Sequence, residues 1–224
     1  MNSDPGIGLI DFPDLLYSPC QDIVALGGRL STRNLLAAYR RGIFPWPMEG
    51  WPMAWFCPQR RAILEFKDLH VPRRLLRTIR RTTLRCTIDR DFEGVITSCA
   101  RVWRPDQNGT WITRGVKRAY LELHREGHAH SVEVWDKEGT LVGGLYGVDA
   151  DGSFAGESMF HLLPNASKLA LLYLIAHLQS RGLDWMDIQM ITPHMEALGA
   201  REINRDEFLL KLAATRARGL KLFD

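Results

Sequence analysis

GSFAGESMFHLLPNASKLALLYLIAH, residues 152–177, is the stretch on which the fold turns. Its first part, SFAGESMF, alternates as a strand does, and its second part, from Asn165 or Ala166, is an apolar run of helical length that stops at Gly182. Glu157 stands in the strand where a Val or Ile would pack. A carboxylate buried there is costly unless something compensates its charge, so Glu157 has either a partner or a task.

Two more runs precede it, HSVEVW and TLVGGLYGVD, with the turn signals DKEG and ADG between the three. Together they read as an antiparallel meander. Downstream, DWMDIQM alternates again, with Trp185, Asp187 and Gln189 on one face and Met186, Ile188 and Met190 on the other. If this strand lies beside the first, Glu157, Asp187 and Gln189 converge on one pocket. TPHMEALG is a short helix capped by Thr192 and stopped by Gly199, and NRDEFLLKLAATRARG is a closing helix with acids in its first turn.

Towards the N-terminus, STRNLLAAYRRG reads as a helix with Ser31 as N-cap and Gly42 as its stop. FPWPMEGWPMAWFCP, residues 44–58, holds three tryptophans and four prolines and is expected to be a rigid irregular loop, neither regular helix nor central strand. RAILEF is a strand, and VPRRLLRTIRR is a helix with Leu75, Leu76 and Ile79 as its apolar stripe. LRCTID returns as a strand and DFEGVITSCARVW as a helix. The polar loop RPDQNGTWI then leads to RGVKRAYLELHRE, a helix capped by Thr113. The pattern is a mixed α+β fold, a small lobe to about residue 60 and a larger domain over residues 61–224.

The net charge of +3 conceals an asymmetry: between Arg60 and Arg90 there are ten basic residues against three acids. The excess is mostly arginine, which suits phosphate contacts, although a solvated basic face gives the same pattern. The four cysteines form no CxxC pair and read as reduced thiols. His124, His128 and His130 lack a completing carboxylate or thiol, so no metal is expected. The opening MNSDPGIGLIDFPDLL lacks the basic start and apolar core of a signal peptide, and no apolar run is long enough for a bilayer. These features lead us to expect a cytoplasmic protein with no membrane partner.

Two carboxylates and a carboxamide, with no nucleophile motif and no glycine-rich phosphate loop, fit transfer of an already activated acyl group to an amine. Such a donor brings its own energy, and an α-amine with a pKa of ~7.7–8.0 needs little help in losing its proton. A structural network of buried acids and arginines remains the alternative.

YRRGIFPW, TWITRGVKRAYLELHREGHAHSVEVW, LVGGLYGV, GESMFHLLPNASKLALL and DIQMITPHMEALGAREINRDEF closely resemble, in this order, the leucyl/phenylalanyl-tRNA–protein transferases. The resemblance runs over nearly the whole chain. It implies an acetyltransferase-like (GNAT-like) large domain with a mixed, largely antiparallel sheet flanked by helices, after a small N-terminal domain. It also implies an enzyme that moves Leu or Phe, and possibly Met, from aminoacyl-tRNA (Leu-tRNA, Phe-tRNA) to proteins bearing N-terminal Arg or Lys, marking them for degradation, with no cofactor and as a monomer. Carried over residue by residue, it assigns catalysis to Glu157, Asp187 and Gln189, with Asp187 acting through Gln189 on the attacking amine. It assigns Trp46 and Trp111 to the acceptor end of the tRNA, and Leu145, Leu174, Leu178 and Met186 to the side-chain pocket. The basic helix, through Arg73, Arg77, Arg80 and Arg81, would meet the tRNA backbone.

Two other functions share parts of the pattern. A CoA-dependent acetyltransferase needs glycines for close approach to pyrophosphate, and LLPNASKLA has none. A non-enzymatic RNA-binding protein explains the arginines but not Glu157, Asp187 and Gln189.

Overall fold

The computed structural model describes residues 8–17, 21–48, 50–102 and 110–224; Cys20 and most of the loop RPDQNGTWI lie outside them. The chain runs through β1 (Ile23–Leu26), α1 (Thr32–Tyr39), β2 (Phe44–Trp46), β3 (Ala54–Phe56), β4 (Arg60–Glu65), α2 (Arg73–Arg80), β5 (Arg85–Ile88), α3 (Phe92–Arg101) and α4 (Arg114–Arg125). It continues through β6 (Ala129–Trp135), β7 (Leu141–Asp149), β8 (Phe154–His161), α5 (Ala166–Ser180), β9 (Trp185–Gln189), α6 (Pro193–Glu196), β10 (Arg201–Asn204) and α7 (Arg205–Arg216). The caps lie where the sequence signals put them. Ser31 accepts from the Asn34 amide, Thr113 from Val116 and Thr192 from Met195, each satisfying a first-turn N–H.

Seven strands form one sheet in the order β10-β4-β9-β8-β7-β6-β5. The expected meander is β6, β7 and β8, paired antiparallel in succession. β9 returns after α5 and lies parallel to β8, while β4 and β10 extend the sheet antiparallel beyond it. Alternation divides the buried side chains between two faces. Val132, Val134, Leu145 and Phe154 pack with α5, whereas Ala129, Tyr146, Val148 and Ala155 pack with α3 and α4. Helix α5 comes close to β7 because Gly143 has no side chain: a Cβ there would sit 2.5 Å from the Cβ of Ala166.

Residues 44–58 depart from the expected irregular loop. Phe44–Trp46 and Ala54–Phe56 are strands, and β3 is the central strand of a second sheet ordered β1-β3-β2. The prolines allow this because Pro45 sits in the edge strand β2, and Pro47, Pro52 and Pro58 fall outside the strands. The short strands β1 and β10 carry too little alternation to be read from sequence. The small sheet has no core of its own: Phe44, Trp55 and Cys57 belong to the same buried cluster as Val95, Tyr120 and Tyr146 of the large sheet's α3–α4 face. Helix α1 and the small sheet are thereby fixed against that face, which brings Tyr39 and Trp46 beside β8.

Candidate active site

β8 and β9 are parallel neighbours that pair at Ala155↔Asp187, and both are bulged just beyond that point. In β8 the register with β7 slips between Tyr146↔Ser158 and Gly147↔Gly156, leaving Glu157 as the extra residue. In β9 it slips against β4 between Ala62↔Gln189 and Ile63↔Asp187, leaving Ile188 extra. A cavity of about 350 Å³ lies where the two bulged segments meet, with residues 156–159 on one side and Met186, Ile188, Gln189 and Met190 on the other.

Glu157 lines this cavity and is the one carboxylate among the described residues that line it. Its Oε1 accepts from the Tyr39 hydroxyl at 2.7 Å and from the Gln189 amide Nε2 at 2.7 Å. Its Oε2 accepts from the Tyr120 hydroxyl at 3.1 Å, and the two tyrosine oxygens are 2.5 Å apart. Burial pushes the Glu157 carboxyl up to about 7; the two tyrosine hydrogen bonds pull against that shift, and the nearby Asp187 charge adds to it. Burial, then the Glu157 charge, holds both phenols well above their ordinary value, so they remain protonated donors. The strand glutamate thus has both partners and access to a cavity.

Asp187 is placed differently from the expectation that it shares the pocket with Glu157. The side-chain alternation of β9 holds through Ile188 and breaks at Gln189. Trp185 and Asp187 face α7, and Asp187 does not line the cavity. Its two oxygens take a bidentate pair from Arg61, Nε to Oδ1 at 2.8 Å and Nη2 to Oδ2 at 2.6 Å. Arg61 is fully buried, with its guanidinium 4.7 Å from the Phe44 ring centroid and 4.6 Å from that of Phe208. Burial opposes the Arg61 charge, but the Asp187 carboxylate more than offsets it, and the guanidinium pKa lies above its usual value.

What Asp187 does reach is the Gln189 backbone. Its Oδ1 accepts the Gln189 N–H at 2.8 Å, and Gln189 adopts a left-handed conformation with φ +65°. That conformation costs a non-glycine residue ~1–2 kcal/mol, and the bulge with this hydrogen bond sustains it. The result is that the Gln189 carboxamide turns off its alternation face and into the cavity towards Glu157.

Trp46 and Trp111 come together from distant parts of the chain, stacked with ring centroids 6.1 Å apart and planes 14° off parallel. Both line the cavity, and Tyr120 meets the Trp111 ring edge-on at 6.4 Å. Of the four residues expected in an apolar pocket, Leu145 and Met186 line the cavity. Leu174 and Leu178 do not; they are buried in the core between α5 and the sheet, and Leu171, one helical turn before Leu174, takes the lining position instead. Met159, Ile188, Met190 and Met195 complete the apolar wall.

Arg73, Arg77, Arg80 and Arg81 are exposed on and just after α2, and none is among the described residues that line the cavity. Only Leu75 of the helix is buried; Leu76, expected in its apolar stripe, is 37% exposed. Of the histidines considered as ligands, His130 binds Asp89 at 2.6 Å and His124 binds the Ala129 carbonyl at 2.7 Å. The sequence reading missed Tyr39, Tyr120 and Arg61. Tyr120 falls in the apolar stripe of α4 with Val116, Ala119 and Leu123, where a phenol with its polar tip turned inward has the same signature as a core aromatic.

Comparison with known proteins identifies the family of the chain. Residues 63–213 match the family model described as leucyl/phenylalanyl-tRNA protein transferase, and residues 28–59 match the model of that protein's N-terminal domain. A leucyl/phenylalanyl-tRNA–protein transferase of Maridesulfovibrio salexigens is 49% identical over 84% of this chain and 78% of its own length. Another from Lawsonia intracellularis is 46% identical over 90% of this chain and 88% of its own. Among solved structures, L-PGS from Bacillus licheniformis aligns loosely, with a TM-score of 0.41 and 13% identity over 59% of this chain and 46% of that one. The two family models and the extent of these identities establish that the chain belongs to the leucyl/phenylalanyl-tRNA–protein transferase family, enzymes that take an aminoacyl-tRNA as donor and a protein as acceptor.

Proposed function

We propose that the cavity between β8 and β9 joins a leucyl or phenylalanyl group, with methionyl as a further candidate, to the N-terminal Arg or Lys of an acceptor protein. The carrying observation is Glu157, the one carboxylate among the described residues of the lining, held by three donors and open to the cavity. A fixed anion in a half-enclosed apolar space attracts a cationic N-terminal residue and rejects a neutral one. The α-amine attacks the carbonyl carbon of the aminoacyl ester, the C–N bond forms, and the ester C–O bond breaks. The amine proton ends on the departing ribose hydroxyl. With its nitrogen committed to Glu157, the Gln189 side chain presents its carbonyl oxygen to the incoming amine N–H. Asp187 acts through its hold on the Gln189 backbone and is a positioning residue, not a proton acceptor in the cavity.

The stacked Trp46 and Trp111 suit the terminal nucleotide, since aromatic faces hold bases without reading sequence. Leu145, Met186 and the surrounding methionines suit an apolar aliphatic or aromatic side chain, because thioethers adapt to shape. The exposed arginines of α2 suit the tRNA backbone. Parting of two parallel strands between helices on both faces supports an acetyltransferase-like reading of the large domain, residues 61–224. The small lobe, residues 1–60, supplies Tyr39 and Trp46. We further infer that the enzyme works as a monomer in the cytoplasm, where charged tRNA is found; among the described residues no helix is long and apolar enough to cross a membrane. The products enter a degradation route that reads N-terminal Leu or Phe.

Transfer of radiolabelled leucine from Leu-tRNA to a peptide beginning with Arg, beside the same peptide beginning with Ala, tests the reading. Label on the Arg peptide alone is the expected result, and label on neither overturns it.

A further inference from the structure

A second cavity, also about 350 Å³, adjoins the first, and His194 lines both. Its walls come from α2, through Arg74 and Thr78, and from the start of α5, through Asn165 and Lys168. Two features of this space call for an anion. Among the described residues its lining contains two permanent cations and no carboxylate, the reverse of the active-site cavity with its single acid. The imidazole at the junction also has a shielded nitrogen, His194 Nε2, that meets no hydrogen-bond partner among the described residues. Burial, then the Lys168 charge and His161, lowers the His194 pKa, so the ring sits neutral beside the cations, able to give or accept one hydrogen bond. At the same wall α5 begins at Asn165 with φ +68°, without a side-chain cap and without an acid in its first turn, so no carboxylate of the helix opposes an anion there.

We propose that this second cavity binds a phosphodiester of the donor tRNA, the linkage immediately upstream of the terminal nucleotide. The inference rests on the reading of the first cavity as the aminoacyl site. If the ester lies against Glu157 and its base against Trp46 and Trp111, the strand must leave past some part of the rim. The His194 junction leads it between Arg74 and Lys168 onto α2, whose outward face carries Arg73, Arg77 and Arg80. Arg74 and Lys168 are thus the inner end of the basic track, where a contact fixes the reactive ester as well as adding affinity.

Three donors separate this contact from the rest: Leu-tRNA, a leucylated CCA trinucleotide, and 3′-leucyl-adenosine, which has no upstream phosphate. The Arg74→Ala/Lys168→Ala double variant is expected to raise KM about tenfold for the first two, the scale of losing charge-assisted phosphate contacts. Transfer from leucyl-adenosine should keep the wild-type kcat/KM. Fluorescence anisotropy with unacylated CCA gives a readout independent of transfer and is expected to show the same tenfold weakening. An equal effect on all three donors, or none on trinucleotide binding, overturns the proposal. Absence of transfer by the wild-type protein from any donor would instead overturn the reading of the first cavity, while trinucleotide binding would still decide the second.

Discussion

The Gln189 amide nitrogen donates to Glu157 Oε1 at 2.7 Å across the gap between two bulged strands. Neither side chain would arrive there in regular sheet, because Glu157 is the extra residue of β8 and Gln189 has left the alternation of β9. The site is therefore a product of two local irregularities of backbone, each fixed by buried hydrogen bonds.

Glu157→Gln keeps the shape of the cavity and removes its charge. The KM for an Arg-initiated peptide should rise at least tenfold, with a smaller change in the KM for Leu-tRNA. Steady-state kinetics with each substrate varied in turn measures the split; equal changes in both constants would place Glu157 outside acceptor recognition.

The same residue sets a pH dependence. With its pKa raised to about 7, Glu157 loses its charge as pH falls through that value, and transfer should fall with it. Deprotonation of the acceptor amine extends the rise towards pH ~8. For stability the sign is opposite. The folded state holds this proton more tightly than the unfolded chain, whose carboxyl titrates near 4.5, so folding stability decreases as pH rises from 4.5 to about 7. At ~1.4 kcal/mol per pKa unit the loss is a few kcal/mol, and denaturant melts of Glu157→Gln should lack it.

Asp187→Ala leaves the fully buried Arg61 without its counter-charge. Removing one partner of such a pair costs ~3–5 kcal/mol, a large part of a typical stability of ~5–15 kcal/mol. The variant should melt earlier as well as transfer poorly. A full loss of transfer at unchanged Tm would assign Asp187 a direct chemical role.

Trp111→Ala removes one face of the aromatic stack. A base contact is worth ~1–3 kcal/mol, so KM for leucyl-adenosine should rise by roughly five- to hundredfold, with acceptor KM little changed. An unchanged KM would make the stacked pair part of the core alone.

Reversal of Arg73, Arg77 and Arg80 to Glu should weaken tRNA binding and flatten its dependence on salt. Each lost phosphate contact lowers the slope of log K against log salt by ~0.7–0.9. Filter binding across a salt series measures it, and an unaltered slope would return the helix to solvated surface.

The meander, the helix caps and the α5–β9 return were legible because they rest on local rules: alternation, capping hydroxyls and glycine stops. The β3 strand was hidden by its prolines, which turn out to flank the pairing residues or sit at the sheet edge. Among site residues, Glu157 was legible as a carboxylate out of place, yet Glu133 in HSVEVW has the same signature. Glu133 is fully buried and satisfied by the hydroxyls of Thr87 and Ser131 at 2.5 Å each, far from any role in the cavity. Only the bulge, which no residue type announces, separates the two acids. Alternation likewise placed Asp187 and Gln189 on one face, and the positive φ of Gln189 sends them apart. Leu174 and Leu178 share the helix face of Leu171, and depth along that face is set by how α5 lies on the sheet.

The most direct test compares leucyl transfer from Leu-tRNA to two peptides alike except at the first residue, Arg in one and its neutral isostere citrulline in the other, with wild-type protein and with Glu157→Gln. A carboxylate that selects the acceptor predicts strong preference for Arg in the wild type and its collapse in the variant. Equal labelling of the two peptides by the wild type, or an Arg preference that survives the loss of the carboxylate, would contradict the role given to Glu157.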